Sequence, residues 1–206
     1  LYLAANLTRA LGSQNIDSRL RAADFFHEGG VRWLGTSIAA LSDLQRTLVI
    51  GSNLRKDHPL LAQRIRQAAR KGGQVNALNA VAFDWAMPVA HSLLTDASQW
   101  VQALADIAAA ISVHTGVLAP VAGNAEQPQA QAIAKSLMGG ERKAILLGNA
   151  AAHHARASSL LALANWIGTQ TGATVGFLGE AANTVGAQLV GALPVANGLN
   201  AGQMLQ

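Results

Sequence analysis

The sequence predicts an α/β fold in which parallel strands lie between helices on both faces. Two short apolar runs, residues 47–50 and 144–147, each end in a glycine turn and are followed by a helix-like segment. A continuous apolar run of this length is typical of a parallel strand that is covered on both faces. Open α/β sheets bind ligands at the carboxyl ends of such strands, so the two turns indicate a nucleotide-type scaffold used twice.

Glycine and proline mark the ends of the predicted elements in the first half of the chain. Residues 1–11 are predicted to form a helix. A second helix is predicted to begin at Pro59, because the missing N–H of proline needs no partner there, and to end at Gly72. Residues 74–79 form a predicted strand, which completes a βαβ unit with a right-handed crossover. A further short strand is predicted over residues 81–85.

The second half of the chain repeats the alternation of helix and strand. An apolar stripe with helical spacing runs from Trp100 to Ile111. Residues 113–125 are rich in turn formers and are the best candidate for a domain boundary. Helices are predicted over residues 126–138 and 155–171, before and after the second apolar run.

The composition excludes several classes of redox and metal centre. The 206 residues include no cysteine, which excludes disulfides, cysteine-held zinc, iron–sulfur clusters on this chain and a thiol nucleophile. No apolar run reaches the roughly 20 residues that a membrane-spanning helix needs. The chain begins at Leu1 instead of methionine, so we expect it to be part of a longer protein.

Charge is distributed unevenly along a chain whose net charge is +4. Residues 51–73 contain six cations and the single acid Asp57, which gives a local charge of +5. This stretch is either a solvated helix face or a surface for an acidic partner or a phosphate-bearing ligand. Nucleic acid is not an expected partner, because no aromatic residues interleave with the cations. Residues 144–206 carry one cation and one acid, so we expect them to be buried or to face another part of a larger protein.

The candidate binding residues are those of the two glycine turns. Gly51-Ser52-Asn53 follows the first apolar run, and Gly148-Asn149 follows the second. Each turn is either a contact for a phosphate or nucleoside at a strand end or a tight turn between a strand and a helix. Neither matches a complete dinucleotide fingerprint or a Walker loop. His58 precedes Pro59 and is expected to stand at a helix start instead of acting as a base.

No arrangement of side chains in the sequence indicates metal-dependent or nucleophilic catalysis. Adjacent histidines such as His153 and His154 point to different faces of a helix and rarely share an ion. Carboxylates do not cluster near them, so no metal site is predicted. No combination of serine, histidine and acid is typical of a nucleophilic triad. The tryptophans Trp85, Trp100 and Trp166 are expected in the core.

Several strings of residues, taken in chain order, resemble the molybdopterin oxidoreductase superfamily. They lie at residues 2–4, 11–21, 48–53 with His58-Pro59, 145–149, 162–165, 171–174 and 180–187. Within the superfamily they are most similar to the family of large iron–sulfur subunits of bacterial NADH-quinone oxidoreductase, respiratory complex I. The resemblance covers nearly the whole chain and rests on the ordered set of strings instead of on any single motif.

The resemblance implies a degenerate domain with a vestigial cleft. In catalytic members of the superfamily, the stretch similar to Asn15-Ile16-Asp17 runs on to a cysteine or selenocysteine that ligates the metal. The matching place here falls near Ala22-Ala23, and an alanine methyl group cannot coordinate molybdenum or tungsten. By resemblance to the pterin-dinucleotide cleft of the superfamily, the residues of the vestigial cleft are Gly51, Ser52, Asn53, His58, Gly148 and Asn149.

The resemblance also implies how the chain is organised and what it carries. Residues 47–125 would form a dinucleotide-binding-like subdomain that is inserted into a second α/β subdomain, whose two parts are residues 1–46 and 126–206. No cofactor is expected on this chain. The iron–sulfur clusters of the large complex I subunit lie in an N-terminal region that this chain lacks, and molybdopterin is not expected.

Three functions stay open on the sequence. The first is a non-catalytic domain that scaffolds the peripheral arm of complex I, which transfers electrons from NADH to quinone at the cytoplasmic side of the bacterial inner membrane. The isolated chain would then be inactive, and its partners would be the other subunits of the arm and the rest of its own full-length chain. The alternatives are a fragment of a catalytic oxidoreductase that retains molybdopterin guanine dinucleotide and a generic nucleotide-binding module. The apolar, glycine-rich residues 185–205 also predict self-association of the fragment.

Overall fold

The protein is built around one parallel sheet. The computed structural model describes residues 1–19, 24, 31–179, 181–195 and 197–206. Its strands are β1 (Arg46–Ile50), β2 (Gln74–Asn79), β3 (His91–Leu94), β4 (Lys143–Leu147) and β5 (Thr174–Phe177). They form a five-stranded sheet in the order β3-β2-β1-β4-β5, and every neighbouring pair is parallel. The predicted α/β fold with a parallel sheet is therefore confirmed.

The predicted helices are present. Most of their ends are shifted by one or two residues, and the helix that begins at Trp100 continues to Thr115, beyond the predicted stripe that ends at Ile111. The α-helices are α1 (Tyr2–Ala10), α2 (Leu54–Asp57), α3 (Pro59–Arg70), α4 (Trp100–Thr115), α5 (Pro128–Met138), α6 (Asn149–Ala152), α7 (Ala157–Thr171), α8 (Thr184–Leu189) and α9 (Ala201–Met204). Among the described residues, none of these helices is long and apolar enough to cross a membrane.

The first βαβ unit forms as the sequence predicts. Pro59 occupies the first turn of α3, where its missing N–H leaves no hydrogen bond unmade. Gly72 follows the end of α3 with a φ of +93°, a left-handed conformation that favours glycine. The chain then enters β2, which pairs with β1 so that Ile50 lies opposite Leu78.

Helices cover both faces of the sheet, which explains why the strand sequences are continuously apolar. In β1, Leu48 and Ile50 pack into a cluster with α4, α5 and α7, whereas Val49 packs into a second cluster with α3. β4 alternates in the same way, with Ile145 in the first cluster and Leu146 in the second. All of these side chains are fully buried. A strand with two buried faces has no polar face to show in its sequence.

The two edge strands differ from the sequence prediction. The predicted strand over residues 81–85 is wrong, because that segment has no regular structure and the third strand is β3. Only Leu93 of β3 is buried, so this strand has no apolar run to reveal it. β5 is not predicted from the sequence at all. It has four residues and includes Gly176, where a Cβ atom would lie 1.8 Å from the carbonyl oxygen of Leu34.

Strands from before and after residue 125 belong to the same sheet. β1 pairs with β4 along its whole length, from Arg46 opposite Lys143 to Ile50 opposite Leu147. The division into an inserted subdomain (residues 47–125) and a flanking subdomain (residues 1–46 and 126–206) stays a prediction.

Candidate functional site

The order of the strands places the two glycine turns side by side. From β1 the chain builds β2 and β3 on one side, and it then crosses over to build β4 and β5 on the other. The edge between the carboxyl ends of β1 and β4 is therefore the topological switch point, where open α/β sheets bind ligands. The backbone N of Gly148 donates to the carbonyl oxygen of Ile50 at 2.8 Å. The predicted meeting of the two strand ends at one edge is confirmed.

The glycines allow the two turns to pack directly against each other. A Cβ atom on Gly148 would lie 2.4 Å from Cβ of Ser52. A Cβ atom on Gly51 would lie 2.7 Å from both the backbone N of Ala151 and Cζ3 of Trp100. Protein atoms fill the space beside these two glycines. Close packing of the turns is therefore enough to explain why glycine is needed at both positions, and no ligand has to be invoked. Contact of Gly51 and Gly148 with a ligand stays a prediction.

A carboxylate closes the first turn. Asp57, the last residue of α2, accepts hydrogen bonds from the backbone N of Asn53 at 2.9 Å and from Oγ of Ser52 at 3.2 Å. On the other side, the backbone N of Ser52 donates to Oδ1 of Asn79, the last residue of β2, at 3.0 Å. Backbone N–H groups at such turns are what usually binds a phosphate. Here they are bonded to side-chain oxygen atoms, and a phosphate would also face the charge of Asp57.

His58 and Asn149 link the two turns across the cleft. His58 is the N-cap residue of α3, as the sequence predicts for a helix start, and it is 9% exposed. Burial lowers the pKa of its imidazole, and the charge of Asp57 and a hydrogen bond with the Asn149 side chain offset this only in part. Nε2 of His58 and Oδ1 of Asn149 have no well-aligned partner among the described residues.

A cavity of about 230 Å³ opens beside this cleft, beyond the carboxyl ends of β4 and β5. Its wall includes His153, Phe177, Arg19 and Arg32. The Arg32 guanidinium lies 5.2 Å from the centroid of the Phe177 ring, and Arg19 forms a 2.6 Å ion pair with the buried carboxylate of Asp17. Burial raises the pKa of Asp17, but hydrogen bonds from Arg19 and from backbone N–H groups outweigh it, so the pKa is lowered. The cavity wall therefore carries two guanidinium groups that other protein groups hold in place, and the Asp17 carboxylate compensates the charge of Arg19.

Comparison with known proteins decides the family. The model of the molybdopterin oxidoreductase family matches residues 1–206. The chain belongs to this family. No match to a curated protein was found. Among solved structures, this molybdopterin oxidoreductase domain is similar to a chain in the X-ray crystal structure of the formyltransferase/hydrolase complex FhcABCD from Methylorubrum extorquens in complex with methylofuran.

The likeness to that solved structure supports the fold alone. The TM-score is 0.51 at 19% sequence identity, and the alignment covers 81% of this chain. It covers 46% of the other chain, so this molybdopterin oxidoreductase domain spans about half the length of its structural neighbour.

The metal ligand of catalytic family members has no counterpart among the described residues. The predicted place of that ligand, Ala22-Ala23, lies outside the described residues. Within the described ranges, no three His, Asp or Glu side chains are grouped so that they could hold a metal ion, and the sequence has no cysteine. The described residues therefore offer no set of ligands for molybdenum, and the donors of the first turn are already bonded to Asp57 and Asn79. The absence of molybdopterin stays a prediction.

His154 and the tryptophans are explained mainly by packing. The His154 ring stacks on Trp100 with 5.7 Å between the ring centroids, and its Nε2 lies 2.8 Å from the carbonyl oxygen of Ala97. Trp100 and Trp85 are buried, as predicted, whereas Trp166 is half-buried.

Sequence reasoning misses the two residues that decide the chemistry of the first turn. In the sequence, Asp57 stands out only as the one acid of a basic stretch, and Asn79 only as the end of a strand. The spacing of Asp57, four residues after Asn53, is that of a local side-chain-to-backbone hydrogen bond and is the available signal. Nothing local in the sequence connects Asn79 to Ser52, because their contact depends on the pairing of β1 with β2.

The lowered pKa of His58 predicts that the protein loses stability on mild acidification. An unfolded histidine takes up a proton as the pH falls through about 6.5, whereas folded His58 takes it up only at lower pH. The unfolded state then binds more protons, so the free energy of unfolding falls as the pH is lowered below about 6.5. We expect the urea midpoint to fall between about pH 7.5 and about pH 5.5 and to fall less in His58→Gln.

His114→Gln is the matched control, because it removes an exposed histidine from α4. This variant should keep the pH dependence of the unaltered chain. If His58→Gln shows the same decrease as the unaltered chain, His58 is not the group that destabilises the protein on acidification.

Proposed function

We propose that this chain is the degenerate molybdopterin-type domain of the large iron–sulfur subunit of bacterial NADH-quinone oxidoreductase. In this proposal the domain is a non-catalytic scaffold of the peripheral arm, at the cytoplasmic side of the inner membrane. The whole complex would transfer electrons from NADH to quinone. The iron–sulfur clusters would lie in another region of the same subunit, and this chain would hold neither a cluster nor molybdopterin.

The closed first turn is the observation that carries the proposal. In a domain that still bound a pterin dinucleotide, the donors of this turn would be expected to face the ligand. Asp57 takes two of these donors, one from Ser52 and one from Asn53. The alanines at the expected place of the metal ligand and the absence of cysteine support the same conclusion. A domain that keeps the family fold without the binding chemistry is what a scaffold requires.

An exposed apolar surface on α1 supports the proposal that the domain has partner subunits. The outer face of α1 is apolar, with Leu3 79% exposed and Leu7 62% exposed. Exposed apolar patches of more than a few hundred Å² usually mark interaction surfaces. The structural neighbour belongs to a multi-subunit complex. We propose that the partners are the other subunits of the arm and the rest of the full-length subunit.

Co-purification tests this assignment. The tagged full-length protein, expressed in its own host, should purify together with NADH-quinone oxidoreductase activity, and deletion of residues 47–206 should prevent assembly of the peripheral arm. The isolated chain should oxidise no NADH, because its side chains supply no redox centre. Purification of the tagged protein with no NADH-oxidising partner would contradict the assignment.

The alternative function is a fragment of a catalytic oxidoreductase that retains molybdopterin guanine dinucleotide. The observation that favours it is that two buried polar atoms, Nε2 of His58 and Oδ1 of Asn149, lack a well-aligned hydrogen-bond partner among the described residues. Elemental and pterin analysis of protein expressed with molybdate separates the two proposals. We expect background amounts only, and stoichiometric molybdenum or pterin would favour the alternative.

Self-association of the chain through residues 185–205 stays a prediction, and the burial of individual residues decides which substitution can test it. Leu189 is 69% exposed, whereas Leu193 is 6% exposed. Leu189→Glu should therefore weaken association without loss of fold, as measured by sedimentation velocity at several concentrations. Leu193→Glu would bury a charge and is unsuitable for this purpose. A monomeric unaltered chain at high concentration would refute the idea.

A further inference from the structure

A second cavity lies at the edge of the sheet opposite the glycine turns. It has a volume of about 240 Å³ and lies where β1 begins and α3 ends. Among the described residues, three cationic side chains line it, Arg46, Lys71 and Arg142, and Asp43 is the only acid in the wall. The volume is below the roughly 300 Å³ at which sites for drug-sized ligands begin, so the cavity suits a small ligand.

The two arginines are fixed by backbone carbonyl groups instead of by carboxylates. Nε of Arg46 donates to the carbonyl oxygen of Ser136 at 3.1 Å, and its Nη1 donates to that of Gln45 at 2.7 Å. Nε of Arg142 donates to the carbonyl oxygen of Asp43 at 2.7 Å. A carbonyl group orients a guanidinium but does not neutralise it. Both guanidinium groups therefore keep their full charge beside the cavity.

One carboxylate compensates only one of the three charges. Nζ of Lys71 lies 2.9 Å from Oδ1 of Asp43, and this hydrogen bond, together with the charges of Lys71 and Arg142, lowers the pKa of Asp43. Burial and the neighbouring charge of Arg46 lower the pKa of Lys143 at the start of β4. Positive charges at this edge are thus close enough to affect one another, and the side chains in the cavity wall carry a net charge of +2.

Hydrogen-bond donors remain available in the cavity. Among the described residues, Nη2 of Arg46 and both Nη atoms of Arg142 take part in none of the hydrogen bonds that hold these side chains.

The end of α3 does not oppose a negative ligand as strongly as a helix C-terminus usually does. Free carbonyl groups there would repel an anion. Here the carbonyl oxygen of Ala68 accepts from the backbone N of Lys71 and of Gly73, and that of Ala69 accepts from the backbone N of Gly72. We therefore expect the positive charge of Arg46, Lys71 and Arg142 to outweigh the remaining negative potential at the end of α3.

We infer that this cavity is a binding site for a phosphate group, held by Arg46, Lys71 and Arg142. Guanidinium groups bind phosphate oxygens with two parallel hydrogen bonds, and an ammonium group adds a point charge. The phosphate is either the free ion or the phosphate group of a small monoester. The site is separate from the cleft between β1 and β4, so its failure would leave the proposed function intact, and the reverse also holds.

Titration with inorganic phosphate tests the inference. Phosphate should be added to the chain at constant ionic strength while the backbone amide signals of Gly72, Gly73 and Gly140, which line the cavity, are followed by NMR. Arg142 is exposed, so Arg142→Gln should fold normally. We expect this variant to bind phosphate about tenfold or more weakly, because it removes charge-assisted hydrogen bonds.

Arg70→Gln is the matched control, because it removes an exposed cation next to Lys71 that does not line the cavity. This variant should change phosphate affinity by less than about twofold. Equal weakening in both variants, or equal signal shifts with acetate or chloride, would overturn the site. Adenosine monophosphate distinguishes the sources. Shifts with both compounds identify a monoester site, and shifts with inorganic phosphate alone identify a site for the free ion.

Discussion

Replacing Gly51 by alanine is expected to lower the free energy of unfolding by about 3 kcal/mol or more. Two effects add. Gly51 has a φ of +64°, which L-residues with a side chain rarely adopt. The new methyl group would also meet the backbone N of Ala151 and Cζ3 of Trp100, each at 2.7 Å. Because Gly51 joins the two turns, the packing of the whole cleft should loosen. Urea unfolding followed by circular dichroism measures the change.

Gly172→Ala separates the two effects. Gly172 has a φ of +73°, but no atom lies within 4 Å of its ideal Cβ position. This variant should lose only the conformational part, about 1 to 2 kcal/mol. If the two variants lose equal stability, the close packing of the turns at Gly51 does not matter to the fold.

Replacing Trp100 by alanine is expected to lower the free energy of unfolding by about 3 to 5 kcal/mol. Trp100 begins α4 and is 2% exposed. Its Nε1 donates to the carbonyl oxygen of Thr95 at 3.1 Å, and its ring stacks on His154. The same ring fills the space beside Gly51. Its removal should leave a cavity directly behind the first turn, with a loss measured by urea unfolding.

Trp33→Ala is the control for Trp100→Ala, because Trp33 is 53% exposed and its truncation should cost about half as much stability. A double variant gives a sharper test. Gly51→Ala combined with Trp100→Ala should lose less stability than the sum of the single variants, because removal of the ring relieves one of the two contacts. Additive losses would contradict direct contact between the Gly51 turn and Trp100.

The central part of the fold follows from local patterns in the sequence. The apolar runs that form β1 and β4 are recognisable because both faces of these strands are covered by helices. α3 is recognisable because Pro59 and Gly72 mark its ends. These signals are local and strong, so the sheet type, the first βαβ unit and the position of the candidate turns could all be predicted.

The edges of the sheet could not be predicted, because their strands depend on neighbours. β3 has a single buried residue and β5 has four residues with a glycine among them. Neither has an apolar run of its own, and each becomes a strand by pairing with a strand that is already part of the sheet. The sequence-based strand over residues 81–85 fails for the same reason, since an apolar pattern without a pairing partner does not form a strand.

The sequence by itself determined the family, the parallel sheet and the residues of the two turns. Only the tertiary structure decided what surrounds those turns. It showed that the glycines accommodate neighbouring backbone and Trp100, and that Asp57 and Asn79 take the hydrogen bonds of Ser52 and Asn53. The physical reason is the separation along the chain over which each feature is encoded. A strand and its turn are encoded within about ten residues, whereas the partner of each polar atom is set by which strands become neighbours in the sheet.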